Sequence, residues 1–129
     1  LLEREAEAEF FPLSLEKRLG IIARVPLASG FLSGKYRKDV TFPKNDLRSG
    51  YSREKIETLI DQVNKLKFLA EELNTTMAQA ALKFCTQHQA VSTVIPGGKN
   101  PEQVIQNAQV ADLPDITPDM IEKINFKTR

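Results

Sequence analysis

Two short β-branched runs, GIIARVP at residues 20–26 and VSTVIP at residues 91–96, constrain this chain more than any other feature. Each ends in a proline, which lacks the backbone donor a strand ladder needs. Between and after them, apolar residues recur at spacings of three and four, the period of a helix burying one stripe. The order therefore reads helix, strand, helix, helix, strand, helix, helix. Strands joined by helical crossovers are expected to be parallel, adjacent and covered on both faces.

Two parallel strands do not make a stable sheet. The pattern asks for more chain, either the missing N-terminal part of a barrel or another copy, to cover the exposed sheet. A (β/α)8 TIM barrel takes about 250 residues and eight strands. The 129 residues here read as its C-terminal part, roughly the last two strands with four or five helices packed outside. The chain opens at Leu1 without a methionine, which suggests a cut rather than a natural start.

The helices can be placed more closely. Over residues 4–19, Phe10, Phe11, Leu13, Leu15 and Leu19 give a buried side, Pro12 fits a first turn and Gly20 fits the C′ position. Residues 27–50 form a loop rich in small and polar residues, long enough to suggest function. Ser52 caps a helix whose stripe is Ile56, Leu59, Ile60, Val63, Leu66, Ala70 and Leu73, and Asn74 ends it. Thr76 and Gln79 form a capping box for a helix running to about His88. Asn100 and Gln103 form another, with Pro101 at N1, for a helix packing through Val104, Ala108 and Ala111. A last helix begins at Thr117–Pro118 and carries Met120, Ile121 and Ile124.

Composition excludes several classes. A net charge of +1 with no run of like charges argues against a nucleic-acid surface. No apolar run approaches the ~18 residues of a membrane span, and no signal-peptide pattern is seen in these residues. The single cysteine, Cys85, cannot pair within the chain and suits a reducing, cytoplasmic setting. It reads as a small core residue, and the lone His88 as a helix-end or exposed residue. No metal-ligand spacing occurs, and the dinucleotide fingerprint GxGxxG is absent.

The strongest chemical signal is residues 94–107, VIPGGKNPEQVIQN. A strand delivers the chain into Gly97 and Gly98, where the backbone can approach a ligand. The following helix offers unpaired N–H groups and the positive end of its dipole, with Lys99 beside it. Gln103 and Asn107 share a face. The bland alternative, a tight turn with solvated polar residues, carries more weight on physical grounds alone, because capping boxes are common. The second signal is residues 25–36, VPLASGFLSGKY. Ser29 and Gly30 can offer backbone N–H groups there, while Lys35 and Arg48 could reach a pyrophosphate. A flexible loop with solvated charges is an equal reading.

Taken together, these segments resemble the aldo-keto reductase family. PLASGFLSGKY at 26–36 is similar to its seventh-strand loop, and IPGGKNPEQVIQN at 95–107 to its eighth-strand loop and helix. TMAQAAL at 76–82 resembles the helix between them. FPKNDLRS at 42–49 is similar to a loop of the bacterial and channel-subunit branches. The resemblance covers essentially the whole chain, in order.

It implies a (β/α)8 barrel that binds NADP(H) and transfers hydride to or from a small-molecule carbonyl substrate. Carried over by position, Pro26, Leu27, Ala28 and Ser29 run along the pyrophosphate, with Lys35 contacting it and Arg48 over the cofactor, and Gly30 belongs to the same cofactor-binding set. Gly97, Lys99 and Gln103 hold the 2′-phosphate, with Gln106 and Asn107 on the adenine, and Gly98 belongs to the same cofactor-binding set. Arg24 and Val25 depart from the family's aromatic or small residue followed by serine, which removes one hydrogen-bonding group. The family's catalytic tetrad of Asp, Tyr, Lys and His comes from earlier strands, so no catalytic residue is assigned in this chain. Potassium-channel β subunits share the barrel and cofactor site, so a non-catalytic NADP(H)-binding regulator is the rival expectation.

Overall fold

The computed structural model describes residues 1–128. Helices α1 (Glu5–Ala8) and α2 (Phe10–Glu16) lead to strand β1 (Ile22–Ala23). After a long loop come α3 (Arg53–Lys65), α4 (Lys67–Glu72) and α5 (Met77–Gln87), then strand β2 (Thr93–Val94), α6 (Pro101–Ala108) and α7 (Pro118–Thr128). The two strands pair in parallel, with Ile22 opposite Thr93 and Ala23 opposite Val94. Both expected strands are therefore present, adjacent and parallel, though each is only two residues long. Among the described residues there are seven α-helices rather than four or five, because two of the expected helices are interrupted.

One interruption falls at Leu66. This residue is fully buried at φ −98° and ψ −2°, and the stripe expected from one long helix continues across α3 and α4. Ile56, Ile60, Val63, Leu66, Leu69 and Leu73 pack with Phe31, Leu32, Met77, Ala80 and Ala81 to form the core. Ser52 caps α3 by accepting from the Lys55 N–H. Asn74 stops the helical run in the left-handed region at φ 49°, a conformation asparagine tolerates better than most residues. In α7, Ile124 is buried, with Met120 and Ile121 against the core.

Several expectations are corrected. Gly20 is not the C′ residue of α2. Arg18 takes that place at φ 54°, and the Leu19 N–H donates to the Ser14 carbonyl at 2.8 Å in a Schellman closure. Phe10, Leu13, Leu15 and Leu19 are exposed rather than buried, since α2 packs chiefly on α1 and covers little of the core. The run expected as a buried strand is not fully buried either: Ile22 in β1 is 62% and Val25 just beyond it 52% exposed, because a two-stranded sheet shields only part of each strand. Helix α6 does not pack through Val104, Ala108 and Ala111, all of which are exposed. It ends at Ala108, and a 3₁₀ turn at Gln109–Asp112 directs Val110 inward instead.

Candidate functional site

Parallel pairing puts the C-terminal ends of β1 and β2 on one edge, so the loops at 24–36 and 95–100 leave the sheet side by side. The first loop is conformationally unusual. Val25, Ala28 and Ser29 have φ of 53°, 47° and 55°, and Gly30 has 90°. Left-handed backbone is costly for a non-glycine residue, especially a β-branched one, and persists only where the surroundings over-determine it. The Gly30 N–H donates to the Leu27 carbonyl at 2.9 Å and is thereby taken up by the turn. The Ser29 N–H has no acceptor among the described residues.

What holds the turn comes from the long loop. The Arg48 guanidinium donates from Nε and Nη2 to both Asp46 carboxylate oxygens, at 2.8 and 2.6 Å. Its Nη1 donates to the Ser29 carbonyl at 3.1 Å and to the Tyr36 hydroxyl. The Phe42 ring centre lies 4.3 Å from the guanidinium carbon and the Tyr36 ring centre 5.2 Å. Around buried Phe31 gather Tyr36, Phe42 and Tyr51, with centroids 5.4, 6.0 and 6.3 Å away. The Tyr51 hydroxyl lies 3.4 Å from Ser29 Oγ. Charge-assisted bonds to Arg48 hold the Asp46 carboxyl well below the ordinary carboxylate range, and Lys99 is near enough to lower it further.

The second loop is held by α6. Asn100 Oδ1 caps the helix by accepting from the Gln103 N–H. The capping box is not reciprocal, however: Gln103 Oε1 reaches one residue further back and accepts from the Lys99 N–H at 2.8 Å. Asn107 Nδ2 donates to the Gly97 carbonyl at 3.4 Å. In the other capping box, Gln79 Oε1 accepts from the Thr75 and Thr76 hydroxyls, while Nε2 donates to the Gln106 carbonyl and ties α5 to α6. The two glycines differ. A Cβ on Gly98 would lie 2.9 Å from Val104 Cγ2, so the fit to α6 explains that glycine, whereas Gly97 faces open space. The Lys99 ammonium makes no hydrogen bond or ion pair with any described residue.

The residues expected at the site fall into groups. Pro26, Ala28 and Ser29 line an open cleft of about 850 Å³, together with Val25, Tyr51 and His88. Arg48 is joined to that group through Ser29. Gly97, Lys99, Gln103 and Asn107 form a second group outside the cleft, linked to the first by the charge of Lys99 on Asp46. Lys35 extends over the Tyr36 ring, 5.2 Å from its centre. Gln106 donates to Glu102 at 3.3 Å. Asp46 and the aromatic cluster were missed by sequence reasoning, although the aspartate two residues before Arg48 was a readable turn-capping signal. His88 sits against Phe11, with Nδ1 accepting from the Ala90 N–H. Cys85 is half-buried, and burial pushes its thiol up.

Parallel strands joined by a helical crossover, with two loops leaving their C-terminal ends on one edge, define an α/β class. The chain belongs to the aldo/keto reductase family, whose model matches residues 1–128. It is 35% identical to a probable voltage-gated potassium channel subunit beta of Oryza sativa subsp. japonica and 34% identical to one of Arabidopsis thaliana. Each match takes in 93% of this chain and 38% of the relative, so the chain spans well under half the length of these proteins. A pyridoxal 4-dehydrogenase of Microbacterium luteolum is 28% identical over 83% of the chain and 29% of its own length. A solved glycerol dehydrogenase from Gluconobacter oxydans shares the fold, with a TM-score of 0.84 at 23% identity, over 97% of this chain and 38% of that one.

Proposed function

We propose that this chain is the C-terminal, cofactor-binding part of an NADP(H)-dependent aldo-keto reductase acting on a small carbonyl substrate in the cytoplasm. The two strands would be the last two of a (β/α)8 barrel. The observation that carries this reading is the pair of loops on one sheet edge, with an ammonium on one and a Ser29 N–H on the other that have no hydrogen-bond partner among the described residues. A dinucleotide phosphate is a ligand that could use both.

The residues present fit such a group. Arg48 and Asp46 neutralise one another, and Lys99, whose ammonium has no ion-pair partner among the described residues, is a cation able to meet a phosphate beside the first turn of α6. Gln103 and Asn107 hold the 97–99 backbone in place, so their contribution includes shaping the loop as well as any direct contact. Pro26, Ala28 and Ser29 line the cleft with small or rigid groups that would let a pyrophosphate lie close, while Leu27 packs against the core. The nicotinamide, when bound, supplies or accepts the hydride. Proton donation to the carbonyl would come from residues outside this chain, with the remaining barrel strands covering exposed Ile22, Val25 and Ile95.

A second reading is favoured by the names of two relatives: an NADP(H)-binding regulator of an ion channel rather than a reductase. The full-length protein separates them. Titration with NADPH by fluorescence tests the shared cofactor site, and NADPH-dependent reduction of aldehydes tests the chemistry. Binding with turnover supports the reductase and binding without turnover the regulator. No binding of either NADPH or NADH would remove both.

A further inference from the structure

We infer that Asp46 is a positioning residue, which acts through Arg48 on the Ser29 carbonyl to keep the left-handed turn at 28–30 set before any ligand arrives. The inference rests on the cofactor-site reading for its functional consequence but not for its structural content. Arg48 has five N–H donors in a fixed fork. Two bind Asp46 side-on and Nη1 serves Ser29 and Tyr36, so the face that would grip a phosphate bidentately is already engaged. Both ends of the ion pair are well packed, with side-chain exposures of 14% for Arg48 and 25% for Asp46. Asp46 also accepts from the Arg48 backbone N–H at 2.9 Å, which fixes where the arginine starts.

The turn that receives Nη1 needs such help. Ala28 and Ser29 both carry a Cβ in left-handed backbone, and Ser29 is held at its carbonyl by Arg48 and approached at its hydroxyl by Tyr51. Releasing Arg48 from Asp46 frees the guanidinium to swing toward solvent, and the Ser29 carbonyl then loses its donor. The turn relaxes, and Ser29 no longer holds one fixed orientation in the lining of the cleft.

The sign of one substitution separates this from direct ligation. Were Arg48 a phosphate ligand, Asp46→Asn would release it and remove a neighbouring negative charge, so NADPH would bind more tightly. As a positioning residue, Asp46→Asn weakens both NADPH and NADH, roughly five- to thirtyfold, the span that one or two kcal/mol represents. In ligand-free full-length protein, amide exchange at Gly30, whose N–H closes the turn, should accelerate about tenfold while α5 amides stay as in wild type. Unchanged exchange at Gly30, or tighter NADPH binding, overturns the inference. If wild-type protein binds neither cofactor, the functional reading falls, and the exchange result alone decides the role of Asp46.

Discussion

Arg48 was legible in the sequence as a loop cation, but its partners were not. A guanidinium in a loop of small and polar residues suggests a ligand because no helix or strand period says where it points. The aromatic cluster that receives it comes from Phe31, Tyr36 and Phe42, whose irregular spacing has no signature. Lys99 is the opposite case: its position before a capped helix was readable, and its ammonium makes no hydrogen bond or ion pair with any described residue. The Asp46 pairing also sets a pH expectation. Its folded carboxyl lies below the ordinary value of 3.8, so the order it gives the loop is fully present above that value. It is lost only as the pH falls below it. Amide exchange at Gly30, corrected for its intrinsic pH dependence, should therefore show constant protection between pH 7 and 5, and a loss of protection in that interval would point to another titrating group.

At the scale of elements, the amphipathic stripe of α3 and α4 and the caps at Ser52, Thr76 and Asn100 follow from local chemistry, and all are present. The break at Leu66 and the inward turn at Val110 depend on tertiary packing that periodicity does not encode. Leu66 remains on the buried stripe whether or not the helix is continuous, which is why the core was readable and the break was not. The fully buried Leu69 gives the packing a measurable weight. Leu69→Ala should destabilise the protein by about 2–5 kcal/mol, through lost burial and the cavity left behind. Urea unfolding of full-length protein checks this, and a cost below about 1 kcal/mol would mean that α4 contributes little to the core.

The whole molecule explains the corrected burial of the strands and α2. A near-continuous apolar run such as GIIARV indicates a strand buried on both faces, yet Ile22, Val25, Ile95 and Phe10 are each more than half exposed. Sequence pattern reports the environment a segment is suited to, and the described residues supply only part of that environment. A polypeptide limited to residues 1–129 should therefore bind a hydrophobic dye, self-associate and show no NADPH-dependent aldehyde reduction, since general acid catalysis needs a positioned donor. Turnover by that polypeptide would require a local acid, with Tyr36 and His88 the first to substitute. Cofactor titration of full-length wild type against Lys99→Ala, at fixed ionic strength, tests most directly the proposed reading of the NADP(H) 2′-phosphate by Lys99. The expected result is a loss of roughly ten- to a hundredfold in NADPH affinity, the effect of one charge-assisted contact, with NADH nearly unchanged. Equal weakening of both cofactors, or of neither, would contradict it.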